Sequence, residues 1–166
     1  METSEDIFKV RELKDPDFYG GYLNLLKDGF NIEPETINVH DFRNFIFHQP
    51  GKTFVVEDTE KSIGYGASDY ILASASVFVE QKLIHNMGRV GHIEDVVVSS
   101  SCRGHGLGKM VVNRCIEYAK RQGCYKCILD CSEENVPFYK KCNSGFEVKG
   151  VETVSYTHLT LPTRLP

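Results

Sequence analysis

The segment GHIEDVVVSSSCRGHGLGK, residues 91–109, carries two acids and then glycines alternating with basic residues. A strand feeding through RGHGLGK into a helix gathers free backbone N–H groups and the positive helix end at one point, where an anion is welcome. Arg103 and Lys109 flank that point and add charge. The dinucleotide fingerprint is disfavoured because the third glycine, Gly108, comes one residue early and Lys109 stands in its place. A P-loop is disfavoured too, since Arg103 stands where its first glycine belongs and Met110 where its Ser or Thr belongs. A phosphate-bearing ligand of another kind remains, against the plainer reading of a tight strand-to-helix turn. Upstream, Glu94 and Asp95 are neighbours in an apolar run, so strand alternation predicts opposite faces, with one acid turned toward the chemistry and the other away. A solvated strand edge or a loop ion pair is the competing reading for each acid.

The elements that must hold these residues follow from the hydrophobic periods. IFKVREL (7–13), KTFVVED (52–58), YILASASVFVEQKLI (70–84), GHIEDVVVS and YKCILDC read as strands, with the second and third antiparallel. DPDFYGGYLNLLKDG reads as one helix with an Asp cap and Gly29 as its stop, and His40 to His48 as a second. GKMVVNRCIEYAKRQ is a helix stopped by Gly123, and NVPFYKKC a short helix with Pro137 in its first turn. EKSIGYGAS is a loop. The pattern predicts a mixed α/β (α+β) layered fold in a single domain over residues 1–152. Residues 153–166 are set apart: the Thr- and Pro-rich THLTLPTRLP is either a strand with a frayed end or sequence foreign to the domain, and composition favours the latter for roughly the last dozen residues.

A chain of 166 residues with 41% hydrophobic and 25% charged residues is that of one ordinary globular domain. Its net charge of -4 and the lack of a basic run interleaved with aromatics argue against nucleic acid, so any anion must be met by locally placed cations. No apolar stretch approaches a membrane span and METSEDIFKV is no secretory leader, which predicts an intracellular, cytoplasmic protein with reduced cysteines. Cys124, Cys127 and Cys131 mimic a zinc spacing, but in a strand positions three apart face opposite ways and no further ligand pair lies nearby, so packed thiols and no metal are expected.

Arg103, Gly104, Gly106 and Gly108 after a strand resemble the pyrophosphate loop of the GCN5-related N-acetyltransferase (GNAT) superfamily. The order GHIED, RGHGLGK, CYK, LDC and FYKKC narrows the likeness to the glucosamine 6-phosphate N-acetyltransferase family, over about residues 7–152 and most strongly from Val79 to Tyr139. The resemblance implies the acyl-CoA N-acyltransferase fold, a mostly antiparallel central sheet flanked by helices with two strands splayed apart. It implies acetyl-CoA as co-substrate, D-glucosamine 6-phosphate as acceptor, direct attack in a ternary complex, a homodimer, and a place on the way to UDP-N-acetylglucosamine. Coenzyme contacts are implied at Val96, Val97 and Val98, at Arg103, Gly104, His105, Gly106, Leu107, Gly108 and Lys109, and at Asn135. Sugar-phosphate contacts are implied at Lys82, Leu83, Ile84, His85, Glu94, Asp95, Tyr125, Lys126 and Asp130. Catalytic roles fall on Glu94 and Asp130, which meet and orient the amine, and on Tyr139, which protonates the departing sulfur. An amine beside electron-withdrawing carbons titrates near ~8, so only weak base assistance is needed. A phenol suits the thiolate, although Tyr139 also reads as a packed aromatic. Arg89 and His92 are neighbours without an assigned part.

The chain departs from the family in four places, the first being the long loop EKSIGYGASD. Asn143 and Ser144 interrupt the usual Cys-Gly-Phe turn, Lys27 and Asp28 stand where a threonine contact is expected, and the arginine of the family's final strand has no counterpart, since Arg164 lies in the proline-bounded end. These departures leave open a GNAT enzyme acting on a polyamine or peptide amine, and a coenzyme-binding relative without activity.

Overall fold

The computed structural model describes residues 7–63, 69–143 and 145–155. Five strands, β1 (Phe8–Glu12), β2 (Gly51–Asp58), β3 (Ile71–Gln81), β4 (Arg89–Val98) and β5 (Cys124–Ile128), form one sheet in sequence order. The first three pairings are antiparallel and β4–β5 is parallel. A parallel neighbour needs a crossover, which the long helix α5 below supplies. The helices are α1 (Tyr22–Phe30), α2 (Val39–His48), α3 (Thr59–Ile63), α4 (Ile84–Met87), α5 (Leu107–Arg121) and α6 (Val136–Cys142).

Two apolar layers sandwich the sheet. On one face Phe54, Val56, Ala73, Ala75, Val77 and Ile93 pack against Leu107, Val111, Val112, Cys115 and Ala119 of α5. On the other, Val55, Ile71 and Val97 meet Tyr22, Leu23 and Leu25 of α1 and Phe42 of α2. The two faces alternate along each strand as a pleated sheet requires. Gly29 lets α1 approach β4 closely, because a Cβ there would stand 2.5 Å from Val97 Cγ2.

The predicted first helix divides. Gly20 and Gly21, the latter at φ +89, separate a 3-10 turn over Asp15–Phe18 from α1, which then runs through Gly29 to end at a left-handed Asn31. Buried Asp17 anchors that turn by accepting hydrogen bonds from Arg11 Nη1 and Nη2 at 2.7 Å each, while Arg11 Nε donates to Glu57 Oε2 at 2.6 Å. Each charge is paired, as burial demands. The expected loop after β2 begins as the short helix α3, and its remainder, 64–68, lies outside the described residues. Among the described residues no strand follows β5, and no helix is long and apolar enough to cross a membrane. Ser144, Arg164 and the end of the chain from 156 lie outside the described residues.

Candidate active site

The site begins where two neighbouring strands part. β5 is registered only with Arg89–His92 of β4, whereas β3 follows β4 on to Val98. From Ile93 to Val98, the β5-facing edge of β4 therefore has no strand partner among the described residues. Backbone groups at Val96, Val97 and Val98 border this gap, and amides there suit an extended polar ligand or a developing oxyanion.

A bulge in β4 sets the acids beside the gap. Ser76 is registered with Glu94 but Ser74 with Val97, so Asp95 and Val96 together oppose Ala75, and Asp95 takes φ +52. Ile93 and Val96 consequently both pack on the α5 face, although three residues apart. Glu94 and Asp95 fall between them and are both exposed. The bulge interrupts the regular alternation predicted for this pair: Glu94 stays in register with Ser76, whereas Asp95 lies in the bulge itself with left-handed backbone, and its charge is felt at Tyr22 of α1.

Burial, followed by the charges of Asp95 and Asp130, pushes the Glu94 carboxyl above its ordinary range; His92 opposes this and Glu152 adds to it. Among the described residues no hydrogen bond reaches the Glu94 carboxylate. The arrangement favours a group that carries positive charge or gives up a proton, as an amine does. Asp130, exposed just beyond β5, joins the same acidic field.

Tyr139 belongs to the α5 face of the sheet. Its ring packs against the α5-side core and meets Phe138 edge-on at 4.9 Å and Phe146 at 6.1 Å. Burial, with smaller effects of Cys131 and Cys142, pushes its phenol up to about 12, so it stays a proton donor through neutral pH. Asn135, four residues earlier, is exposed and donates to Ser132 Oγ at 3.1 Å.

The glycine loop closes the end of the gap. Gly104 at φ +85 and Gly106 at φ +79 adopt left-handed backbone, and nothing lies within 4 Å of where a Cβ would stand on either. Arg103, Gly104, His105, Gly106 and Lys109 are exposed, while Leu107 and Gly108 are buried under the first turn of α5. His105 Nδ1 turns back to the carbonyls of Cys102 and Arg103 at 3.3 and 3.2 Å. Asp28, where the sequence left a contact unexplained, accepts a hydrogen bond from Ser100 N–H at 2.7 Å and ties α1 to the approach to this loop. Open backbone donors, the two exposed cations Arg103 and Lys109 and the start of a fifteen-residue helix fit a diphosphate.

The positions implied for the sugar phosphate are less uniform. Leu83 and Ile84 are 84% and 64% exposed at the β3–β4 turn, where His85, Asn86 and Met87 are left-handed. His85 meets the Tyr125 ring at 4.6 Å, and Lys126 Nζ stands 5.7 Å from the centroid of that ring. Lys82 is engaged elsewhere, 2.5 Å from Glu80 Oε1, and Glu80 also holds His92 Nε2 at 2.8 Å. Arg89 braces the fold, donating to Gln81 Oε1 and the Gln122 carbonyl.

A second bulge corrects the reading of the cysteines. β4–β5 register slips between Arg89↔Cys124 and Val90↔Lys126, so Cys124 and Cys127 both turn to the α5-side core. Burial pushes the Cys127 thiol up to about 11 and the Cys115 thiol to about 12, which makes both weak nucleophiles. Sequence reasoning also missed Ser74 and Ser76, buried polar residues on the α1 face of β3. Their signal was present in LASASVFV, where serines two apart interrupt an apolar run.

Comparison with known proteins agrees with this geometry. The model of the acetyltransferase (GNAT) family matches residues 9–144. A glucosamine 6-phosphate N-acetyltransferase of Arabidopsis thaliana is 38% identical over 151 residues, covering 91% of this chain and 97% of that protein. A protein of the same name in Candida albicans is 38% identical over 147 residues, 89% of this chain and 94% of its own length. The crystal structure of the Arabidopsis thaliana enzyme superposes with a TM-score of 0.76 at 37% identity, covering 95% of this chain and all of that one. With the splayed strands, the bulge and the glycine loop in place along a matching sequence, the chain belongs to the GNAT acetyltransferase family.

Proposed function

We infer that the protein transfers the acetyl group of acetyl-CoA to the amine of D-glucosamine 6-phosphate, releasing coenzyme A and N-acetylglucosamine 6-phosphate. The observation that carries this reading is the β4 edge left unpaired where β4 and β5 part, with Glu94, a carboxylate of raised basicity, on that strand; Tyr139, a phenol that keeps its proton, packs against the α5-side core. The named relatives, similar over most of their length, support the choice of acceptor.

In the reaction both substrates are bound before chemistry. Arg103, Lys109 and the amides of residues 103–109 receive the diphosphate of the coenzyme, with Asn135 beside it. Backbone groups of Val96, Val97 and Val98 receive its extended arm. Glu94, directly or through water, takes a proton from the ammonium group, while Asp95 and Asp130 orient that group. The freed nitrogen attacks the thioester carbonyl, the C–N bond forms, and backbone N–H groups of the unpaired β4 edge stabilise the oxyanion. As the tetrahedral adduct collapses, the nitrogen loses its second proton to water, the C–S bond breaks, and Tyr139 gives its proton to the sulfur and recovers one from water. The balance is one ammonium and one thioester in, and one amide, one thiol and one proton out.

Lys126, with Tyr125 and His85 beside it, is the cation this reading uses for the sugar phosphate, with Leu83 and Ile84 as walls. Lys82 joins only by leaving Glu80. The transfer needs no metal. A single domain over 1–152, a cytoplasmic homodimer and a role in UDP-N-acetylglucosamine synthesis complete the proposal.

Coenzyme A release tests it: glucosamine 6-phosphate supports turnover and glucosamine 1-phosphate gives little. The acidic field of Glu94, Asp95 and Asp130 is the observation that favours a second reading, a polyamine acceptor. Turnover of spermidine but of neither sugar would select it, and acetyl-CoA affinity without any transfer would leave a coenzyme-binding relative.

A further inference from the structure

Across β2, β3 and β4, Thr53, Ser76 and Glu94 stand in one register row. They share the α1 face, because Val55, Ser74 and Val97 form the adjacent row and Val55 and Val97 belong to the α1-side core. Directly opposed residues of this kind hold their Cβ atoms about 5 Å apart. Thr53 Oγ1 donates to Gln49 Oε1 at 2.8 Å, at the C-terminal end of α2. Thr53 Oγ1 and Ser76 Oγ are 2.9 Å apart. A hydroxyl has one hydrogen, and that of Thr53 is committed to the Gln49 carbonyl, so in the second bond Ser76 is the donor. Its own hydrogen is then spent, and Ser76 faces Glu94 with lone pairs only. Thr53 and Ser76 are 1% and 4% exposed, which leaves no solvent to reorient them.

We propose that Gln49, Thr53 and Ser76 are positioning residues that keep Glu94 a proton acceptor: their hydrogen bonds run away from the carboxylate and leave the Ser76 oxygen to receive the hydrogen that Glu94 acquires. An ionised carboxylate is stabilised by donors, and this row offers none; a neutral carboxyl has an O–H, and the row offers it an acceptor. The other charged groups facing Glu94 are Asp95 and His92 on β4, Asp130 after β5 and Glu152 in the C-terminal segment. His92 is in turn held by Glu80, which Lys82 pairs. In the transfer, the proton passes from the ammonium nitrogen to Glu94, rests in a hydrogen bond to Ser76 Oγ, and leaves to water, with no covalent change at Ser76. The inference rests on the part given to Glu94 in the proposed function.

The test is an NMR titration of the Glu94 side-chain carboxyl in the full chain, together with the pH profile of kcat. Thr53→Val removes the acceptor of Ser76, whose hydrogen then turns to Glu94. The Glu94 titration and the acid limb of kcat move to lower pH, and kcat near neutrality falls about fivefold, the worth of one hydrogen bond. Thr53→Ser preserves the row and the wild-type titration. Ser76→Ala supplies neither donor nor acceptor, and moves the titration less than Thr53→Val does. An unmoved titration in Thr53→Val, or equal movement in Thr53→Val and Ser76→Ala, overturns the proposal. The carboxyl is read without substrate, so failure of wild-type turnover would refute acetyl transfer while the row is still judged by NMR.

Discussion

At the height of the β4 bulge the two faces of the sheet are built from different material. Toward α5, Ala75, Val77 and Ile93 bury an apolar layer that Tyr139 joins. Toward α1, β2, β3 and β4 present the polar row Thr53, Ser76 and Glu94. One physical effect nevertheless governs the titratable group on each side, since burial disfavours whichever form is charged. Applied to a phenol it preserves a donor, and burial is the first cause of the upward displacement of Tyr139 to about 12. Applied to a carboxyl it makes a better acceptor, and burial is again the first cause at Glu94. In the proposed reaction, partial desolvation on the two faces supplies an acid and a base, and proton traffic acquires a direction across the sheet.

The sharpest way to break that comparison is to neutralise one side at a time. Glu94→Gln keeps shape and burial and removes the acceptor, so kcat for glucosamine 6-phosphate acetylation falls by about 10²-fold or more, while calorimetry finds coenzyme A affinity unchanged. Tyr139→Phe removes only the donor. Its loss is smaller, about tenfold in kcat, because a thiolate is a tolerable leaving group, and coenzyme binding again survives. Equal affinity losses in both variants would mean that the two residues hold the ligand rather than move protons. Unchanged turnover in Tyr139→Phe would return that ring to packing alone.

The elements of this site were largely written in residue order, because hydrophobic period and helix stops are local signals. The strand-to-helix passage into α5, the stop at Gly123 and the turn at Pro137 all followed from neighbours in the chain. The bulges did not. GHIEDVVV has no glycine or proline at the irregular position, and Asp95 becomes left-handed only because β3 and β4 pair one residue out of step on its two sides. The same kind of slip between β4 and β5 turned Cys124 and Cys127 to a common face. Register is a property of two strands, and a one-residue slip moves side chains to the other face. Local pattern also overlooked the pair Gly20 and Gly21, which breaks the first helix, and gave no cause for Asp28 until its bond to Ser100 appeared. The Lys82 ammonium, expected at the acceptor phosphate, is held by a glutamate two residues away.

The smallest predicted effect concerns stability and sharpens the comparison without any substrate. Glu94 titrates higher in the folded chain than when unfolded, so its neutral form favours folding. That contribution is complete below the unfolded carboxylate range and is lost as pH rises through the raised folded value. Above that value the folded protein carries a charge that burial and the fields of Asp95 and Asp130 oppose. Glu94→Gln removes the penalty, so the variant melts at a higher temperature than the wild type at neutral pH, and the difference closes as the solution is acidified. Partial exposure keeps the effect modest. Tyr139→Phe has no such pH dependence below neutrality, because the phenol is neutral in both states there. Melting curves of both variants between acid and neutral pH therefore separate the two faces: one residue is inactive as a base unless it is costly to the fold, and the other is a donor at no electrostatic cost. A pH-independent difference for Glu94→Gln would mean that its carboxylate is as comfortable in the fold as in water, and the raised basicity on which the acetyl transfer relies would be absent.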